Sequence, residues 1–240
     1  YFINVKLLDI CTELIDEYVV YKQNTGLSNQ TIRHHLTVLK SAFSYAKRKG
    51  IDISYKIETT ISLCVEPYQF EILTFDEINL LISELKNHDI YLPVFLSSIL
   101  GLRRSEAIGL KWDCINFKKS EVQIDGVYIQ CRDSINQVTY EYYKPKTKTQ
   151  SSKRTYIAPQ KLMSELLQQR HLQFARAKSN SKYNSEYFDY VCVKKNGDLL
   201  KPNFVTKKYN KIIKSLFPNR NIRFHDLRHS CGTFLYEKFG

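Results

Sequence analysis

His225-Asp-Leu-Arg228-His229 and, far upstream, Gly101-Leu-Arg103-Arg104-Ser-Glu106 hold the residues of this chain best suited to chemistry on a phosphodiester. A guanidinium fork can take two non-bridging oxygens at once and keeps its charge through a reaction. Two arginines and an imidazole, brought together from distant segments, could grip a phosphodiester and move a proton beside it without a metal ion. Glu106 lies three residues after Arg103 on the same helical face, where it can orient the guanidinium. His225 and Arg228 share that spacing and project together. Each motif alone is a weak signal, because a chance His-x-x-Arg has the same geometry and most arginines are surface residues.

A third group lies between them. Lys144-Pro-Lys146-Thr-Lys148-Thr-Gln-Ser-Ser-Lys153-Arg154 is the densest basic tract and falls between two strand-like segments. As a hairpin tip it could reach into a DNA groove and set one ammonium near a phosphate, where neighbouring cations lower a lysine's pKa toward that of a useful proton donor. Taken alone, the tract reads as an ordinary solvated loop. The conjunction of the three groups, in this order, is the strong signal.

These residues need elements to position them. Leu7, Cys11, Leu14, Ile15 and Tyr18 recur at helical spacing until Asn24-Thr-Gly26 breaks the pattern. Ser28 or Asn29 can cap a second helix with the apolar stripe Ile32, Leu36, Leu39, Phe43 and Ala46, ended by Gly50. Its other face carries Arg33, His34, Lys40, Lys47 and Arg48, either a solvated face or one that tracks a DNA backbone. Periodicity fades over 51–72, which contains Pro67, and we place a linker at 67–72 between a helical domain, 1–66, and a second domain, 73–240. Thr74-Phe-Asp-Glu77 reads as a capping box. The apolar run 91–100 reads as a buried helix, and Ser105 starts or continues the next. Val122/Ile124, Val127/Ile129, Val138/Tyr140/Tyr142 and Thr155/Ile157 alternate as strands. Asp125-Gly126 is either a hairpin turn or an interruption of one longer strand. Helices are predicted at Leu162–Lys178 and Phe204–Leu216, with a turn at Asn196-Gly197-Asp198 and a last helix carrying His225–His229. The expected fold class is α+β, mainly helical with a small antiparallel sheet.

Lys+Arg 36 against Asp+Glu 24 gives a formal net charge of +12 over 240 residues, an excess that attracts polyanions, nucleic acid first among them. Cys11, Cys64, Cys114, Cys131, Cys192 and Cys231 are scattered without any Cys-x-x-Cys or Cys/His cluster. That argues against a zinc site and a dense disulfide framework, and fits reduced thiols in a cytosol. The longest apolar run, 91–102, contains Pro93 and is too short to span a bilayer. No signal peptide is visible, and the sequence opens on Tyr1 rather than Met.

With these motifs in place, the chain resembles the tyrosine recombinases, the lambda-type integrases of phages and mobile elements. Leu100 through Glu106, with Leu110 and Trp112, is similar to the family's TGLRxSExxxLxW motif. Pro145-Lys146-Thr147 and Arg154-Thr155 resemble its PKTxxSxRT stretch, and His225, Leu227, Arg228 and His229 its HxLRH box. Thr31-Ile32 and Ala42-Phe43-Ser-Tyr45-Ala46 look like the family's core-binding domain. The resemblance implies a site-specific recombinase whose SAM-like core-binding domain and catalytic domain close as a clamp on duplex DNA. It implies Arg103, Lys146, His225 and Arg228 as catalytic residues, with Glu106 and His229 in support. It further implies Arg33, His34, Lys40, Lys47, Lys144, Lys148 and Lys153 as DNA contacts. No metal or other cofactor is implied. The expected partner is double-stranded DNA at specific sites, bound by four copies, with a monomer in solution, in a bacterial cytoplasm at the nucleoid.

The chain departs from the family's pattern in three places. Cys114 stands where the family often has Asp, beside Asp113. The stretch between Lys146 and Arg154 is longer than usual, so Lys148 rivals Lys146. A Leu-Gly-His box and the nucleophilic tyrosine are expected beyond Gly240, because Tyr236 follows Arg228 too closely on one helix. Without that tyrosine, residues 1–240 are expected to bind DNA and not to cut it. The competing readings are a catalytically inactive DNA-binding relative and a type IB topoisomerase.

Overall fold

The computed structural model describes residues 1–51, 57–133, 135–145 and 154–239. The chain divides into two compact units, Tyr1–Gln69 and Phe70–Gly240.

The first unit is built on α1 (Thr12–Asn24) and α2 (Asn29–Arg48). Ser28 caps α2, its hydroxyl accepting the Thr31 amide at 3.3 Å, and Gly50 follows the helix end with φ +81°. Ile32, Leu36, Phe43 and Ala46 bury the predicted stripe against Ile15, Tyr18 and Val19 of α1. The first helix begins later than the apolar spacing suggests. Leu7–Asp9 forms a short 3-10 turn, Cys11 is extended, and α1 starts only at Thr12. Leu7 still packs on the same core, so a turn followed by a helix satisfies the pattern that one helix would have met. Beyond α2, Ile57 is buried in this core, and the Asp16 carboxylate accepts the Thr60 amide at 3.0 Å.

The second unit opens with α3 (Phe75–Leu85), which carries the capping box read from the sequence. Thr74 Oγ1 accepts the Glu77 amide at 3.3 Å, and the Glu77 carboxylate accepts the Thr74 amide at 2.8 Å. The apolar run is α4 (Tyr91–Leu100), buried along its length and polar only at Ser97 and Ser98, as suits a central core helix. It packs against α8 (Asp226–Phe239) and the short α5 (Arg104–Ile108). His225 sits in the turn one residue before α8, so the histidine motif straddles the helix start rather than lying within it.

The strands form two antiparallel sheets, β1 (Ile115–Asn116), β2 (Glu121–Ile124) and β5 (Arg154–Ile157) in order β1-β2-β5, and β3 (Gly126–Arg132) paired with β4 (Thr139–Pro145). Asp125-Gly126 is therefore not a hairpin turn. It is the point where one strand leaves its sheet and enters the next. Glycine is required there by proximity, since a Cβ at Gly126 would stand 2.0 Å from the Tyr143 hydroxyl. That hydroxyl donates to Asp125 at 3.1 Å.

The hairpin tip also differs from expectation. It lies at 133–138, where Asp133 accepts the Ile135 amide at 2.8 Å and its own amide reaches Val138 O at 2.8 Å. On either side of the lysine tract, β4 has Lys144 opposite Val127 of β3 near its end and β5 begins at Arg154 opposite Ile124 of β2, so the two flanking strands have different partners. α6 (Gln160–Ser179) and α7 (Pro202–Leu216) complete the unit, with a turn at Asn196–Asp198 between them as expected. The fold is α+β, mainly helical with small antiparallel sheets.

Candidate functional site

The site forms where the end of α4 meets the start of α8. Gly101 closes α4 at φ +60°, ψ 31°, a left-handed backbone that turns the chain sharply into the Arg103 corner. Arg103 is the N-cap of α5, with φ −67°, ψ 150°. Its amide donates to Glu106 Oε2 at 2.9 Å, and its guanidinium Nη1 donates to Oε1 at 3.2 Å. Glu106 is only 1% exposed. A carboxylate that deep requires cations, and a second arrives from the sheet, Arg154 Nη2 at 2.7 Å. The Arg103 side chain stays 53% exposed, oriented at its inner edge and open outward.

The α8 corner follows the same local plan. Asp226, fully buried, accepts the Arg223 amide at 2.7 Å and the Arg223 guanidinium at 3.1 Å. Arg228, two residues along, donates from Nη1 to the Gly101 carbonyl, so the two corners are joined directly. The His225 and His229 rings meet edge to face, their centroids 5.1 Å apart. His225 has its pKa lowered, first by partial burial and then by His229, Arg228 and Arg103, with Asp226 opposing. It is therefore a neutral imidazole at pH 7, able to accept a proton.

Of these residues Arg103, Arg223 and His225 line a cleft of about 470 Å³, together with Arg104, Thr206 and Asn210. Arg104 donates to Thr206 of α7, and its burial lowers the guanidinium pKa. Three arginines around one cleft concentrate positive charge there, the chemistry that suits anionic oxygens.

The structure thus brings together Arg103, Glu106, His225, Arg228 and His229. Lys144 is exposed on β4, opposite Val127. Lys146, Lys148 and Lys153 lie outside the described residues. Arg33, His34, Lys40 and Lys47 are exposed along α2 of the first unit, on the face away from its core. Sequence reasoning did not single out Arg154, Arg104 or Arg223 as site residues. Arg154 carried one usable signal, its place at the end of the lysine tract, but only the β2–β5 register shows that it reaches Glu106. At the family's variant position, the Cys114 thiol donates to Asp125 at 3.3 Å, and burial raises its pKa to about 12. Asp113 is exposed, and the same thiol approaches it at 3.4 Å. Among the described residues, no group of three or more His, Cys, Asp or Glu is placed to hold a metal ion. No described helix is long and apolar enough to cross a membrane.

Residues 71–239, well over half of the chain, match the model of the phage integrase family. The chain belongs to this family, the tyrosine recombinases. It is 30% identical over 231 residues to a XerC-like tyrosine recombinase of Caldanaerobacter subterraneus subsp. tengcongensis. That alignment covers 91% of this chain and 58% of the relative, so the chain spans a little over half of that protein's length. Among solved structures, the Tn1549 transposon integrase in complex with a circular intermediate DNA superposes with a TM-score of 0.75 at 17% identity, covering 97% of this chain and 75% of that one. The lambda integrase tetramer bound to a Holliday junction gives 0.61 at 15% identity, covering 98% and 62%. At these identities the likeness establishes the integrase fold.

Proposed function

We propose that this integrase cuts and rejoins duplex DNA by covalent phosphoryl transfer, as a site-specific recombinase of a phage or other mobile element. The observation that carries the reading is the joining of the two corners, with Arg228 bonded to Gly101 O and His225 within the field of both Arg103 and Arg228. Arg103 and Arg228 hold the non-bridging oxygens of the scissile phosphate and stabilise the charge of the five-coordinate transition state. A tyrosine oxygen bonds to phosphorus as the bond to the 5′ oxygen breaks, leaving a 3′-phosphotyrosyl link and a free 5′-hydroxyl. His225, neutral at pH 7, takes the tyrosine's proton, and Lys146 gives one to the departing 5′ oxygen. Attack by a 5′-hydroxyl reverses the step and seals the strand. Bond energy is retained, so no nucleotide is consumed.

Neither Tyr209 nor Tyr236 is assigned the attacking role. Tyr209 is fully buried beneath Phe224, with ring centroids 5.3 Å apart. Tyr236 is exposed on α8, eight residues past Arg228 and so about 12 Å along the helix axis. Glu106 orients Arg103, and the basic face of α2, with Lys144, Lys148 and Lys153, tracks the DNA backbone. Four copies on paired sites complete the reaction, a reading supported by the DNA-bound tetramer of lambda integrase.

The complete gene product, incubated with plasmids carrying two copies of a duplex selected for binding, tests this. Exchange between sites is the expected result. Relaxation of supercoils by a monomer without exchange would reassign it as a type IB topoisomerase. Binding with neither activity would leave a DNA-binding relative. Lys146→Ala is expected to block cleavage of an ordinary phosphate but not of a 5′-thiol leaving group; the same behaviour from Lys148→Ala instead would move the proton donor to Lys148.

A further inference from the structure

The chain enters the second unit at Phe70, and the four residues Phe70–Leu73 lie on the start of α8 as a strap. Three sets of contacts fasten it. Phe70 stacks on the His229 ring, with centroids 4.4 Å apart and planes 15° from parallel. Arg220, in the segment between α7 and α8, donates to Glu71 at 2.9 Å, to Ile72 O at 2.8 Å and to Glu77 at 2.6 Å. The Leu73 amide donates to Ser230 Oγ at 3.0 Å, and that hydroxyl donates to Asp226 O at 2.9 Å. One short segment is thereby tied to residues 226, 229 and 230, within the first turns of α8.

Phe70 is 48% exposed, so core packing does not explain its placement. An aromatic ring left half in water and laid flat on an imidazole fixes that ring's plane and covers one face of it. His229 in turn presents its edge contact to His225, whose ring also stands in the field of Arg103 from the α4–α5 corner, of Arg228 from α8, and of Asp226 at the helix start.

We propose that Phe70 is a positioning residue for the histidine pair: the strap holds its ring against His229, and His229 sets the plane and hydration of His225. Phe70 touches no reacting atom in this arrangement and acts only through His229. The inference rests on the assignment of His225 as proton acceptor for its kinetic consequence, though not for its structural one.

The test begins with the protein of residues 1–240 and its six histidines, followed by side-chain NMR through a pH titration, with His225→Gln and His229→Gln variants to assign the signals. Wild-type His229 signals are expected upfield, under the Phe70 ring. Phe70→Ala should shift the His229 and His225 signals and raise the His225 midpoint toward that of a solvated imidazole, while those of His34, His35, His88 and His171 stay fixed. Phe70→Tyr should restore the wild-type pattern. Arg220→Gln, which loosens the strap without touching either ring, should move the same signals less far. In the complete protein, Phe70→Ala should slow covalent adduct formation about tenfold with DNA affinity unchanged, and displace the acid limb of the rate profile upward in pH. Superimposable His225 and His229 titrations in wild type and Phe70→Ala would overturn the proposal. A wild-type protein with the NMR response but no adduct would keep this inference and refute the enzymatic reading.

Discussion

Arg103 and Arg223 occupy equivalent places in two different corners of the site. Each stands three residues before a buried carboxylate, each donates its amide to that carboxylate, and each accepts the carboxylate residue's amide at 2.9 Å in return. The uses then diverge. At the first corner the capped arginine is itself the arginine of the motif, and its carboxylate is shared with Arg154 from the sheet. At the second corner the capped residue is Arg223, while the motif arginine, Arg228, turns to a neutral backbone carbonyl supplied by the first corner. One motif guanidinium is oriented by a shared negative charge, the other by a dipole. The α8 corner thus takes its arginine's acceptor from the α4–α5 corner, whereas the α4–α5 corner takes its second cation from the sheet.

The widest separation between the corners should appear in stability. Glu106→Ala strips the countercharge from two arginines at a buried position and is expected to cost about 4 kcal/mol, against about 3 kcal/mol for Asp226→Ala, read from urea midpoints. Equal costs would mean that Arg154 adds nothing at Glu106. A smaller effect is expected where the corners meet. Gly101→Ala has room for its Cβ, the nearest atom being Cys231 Sγ at 3.5 Å, so the penalty is that of the left-handed backbone, about 1–2 kcal/mol. Activity should fall further than this if the Arg228 acceptor tilts; an unchanged cleavage rate would show that Arg228 does not need Gly101.

The smallest effect is the pH response of His225. Its folded pKa lies below that of the unfolded chain, so the native state binds its proton less tightly. Stability should be level above the ordinary histidine range near 6.5 and decline as pH falls through the lowered folded value. Thermal melts between pH 7.5 and 5 should show this decline in wild type and lose part of it in His225→Gln. Identical slopes in the two proteins would remove His225 from the electrostatics of the site.

How far the sequence revealed this depends on how local each feature is. The Ser28 cap, the Thr74–Glu77 capping box and the Arg103–Glu106 pairing all act within one helical turn, and all were readable from spacing. The buried α4 was readable because it carries no charged residue and only two small polar ones, Ser97 and Ser98. The start of α1 was not, since Leu7 reaches the core from a 3-10 turn as well as it would from a helix. The fate of Asp125-Gly126 depends on Tyr143, eighteen residues on, covering the glycine. Arg154 reaches Glu106 only through the β2–β5 register, and the Phe70 strap, at the start of the unit's sequence, is held by Arg220 and Ser230 near its end. Long-range partners of this kind leave no periodic trace in the chain.

The central claim is that Arg103 and Arg228, joined through Gly101, form one transition-state clamp. The most direct measurement is trapping of the covalent protein–DNA adduct by the complete protein on a nicked duplex selected for binding, in wild type, Arg103→Ala and Arg228→Ala. The expected result is an adduct in wild type and a loss of about 10³-fold or more in rate for each variant, with DNA affinity within about tenfold of wild type. An Arg228→Ala protein that forms the adduct at the wild-type rate would contradict it.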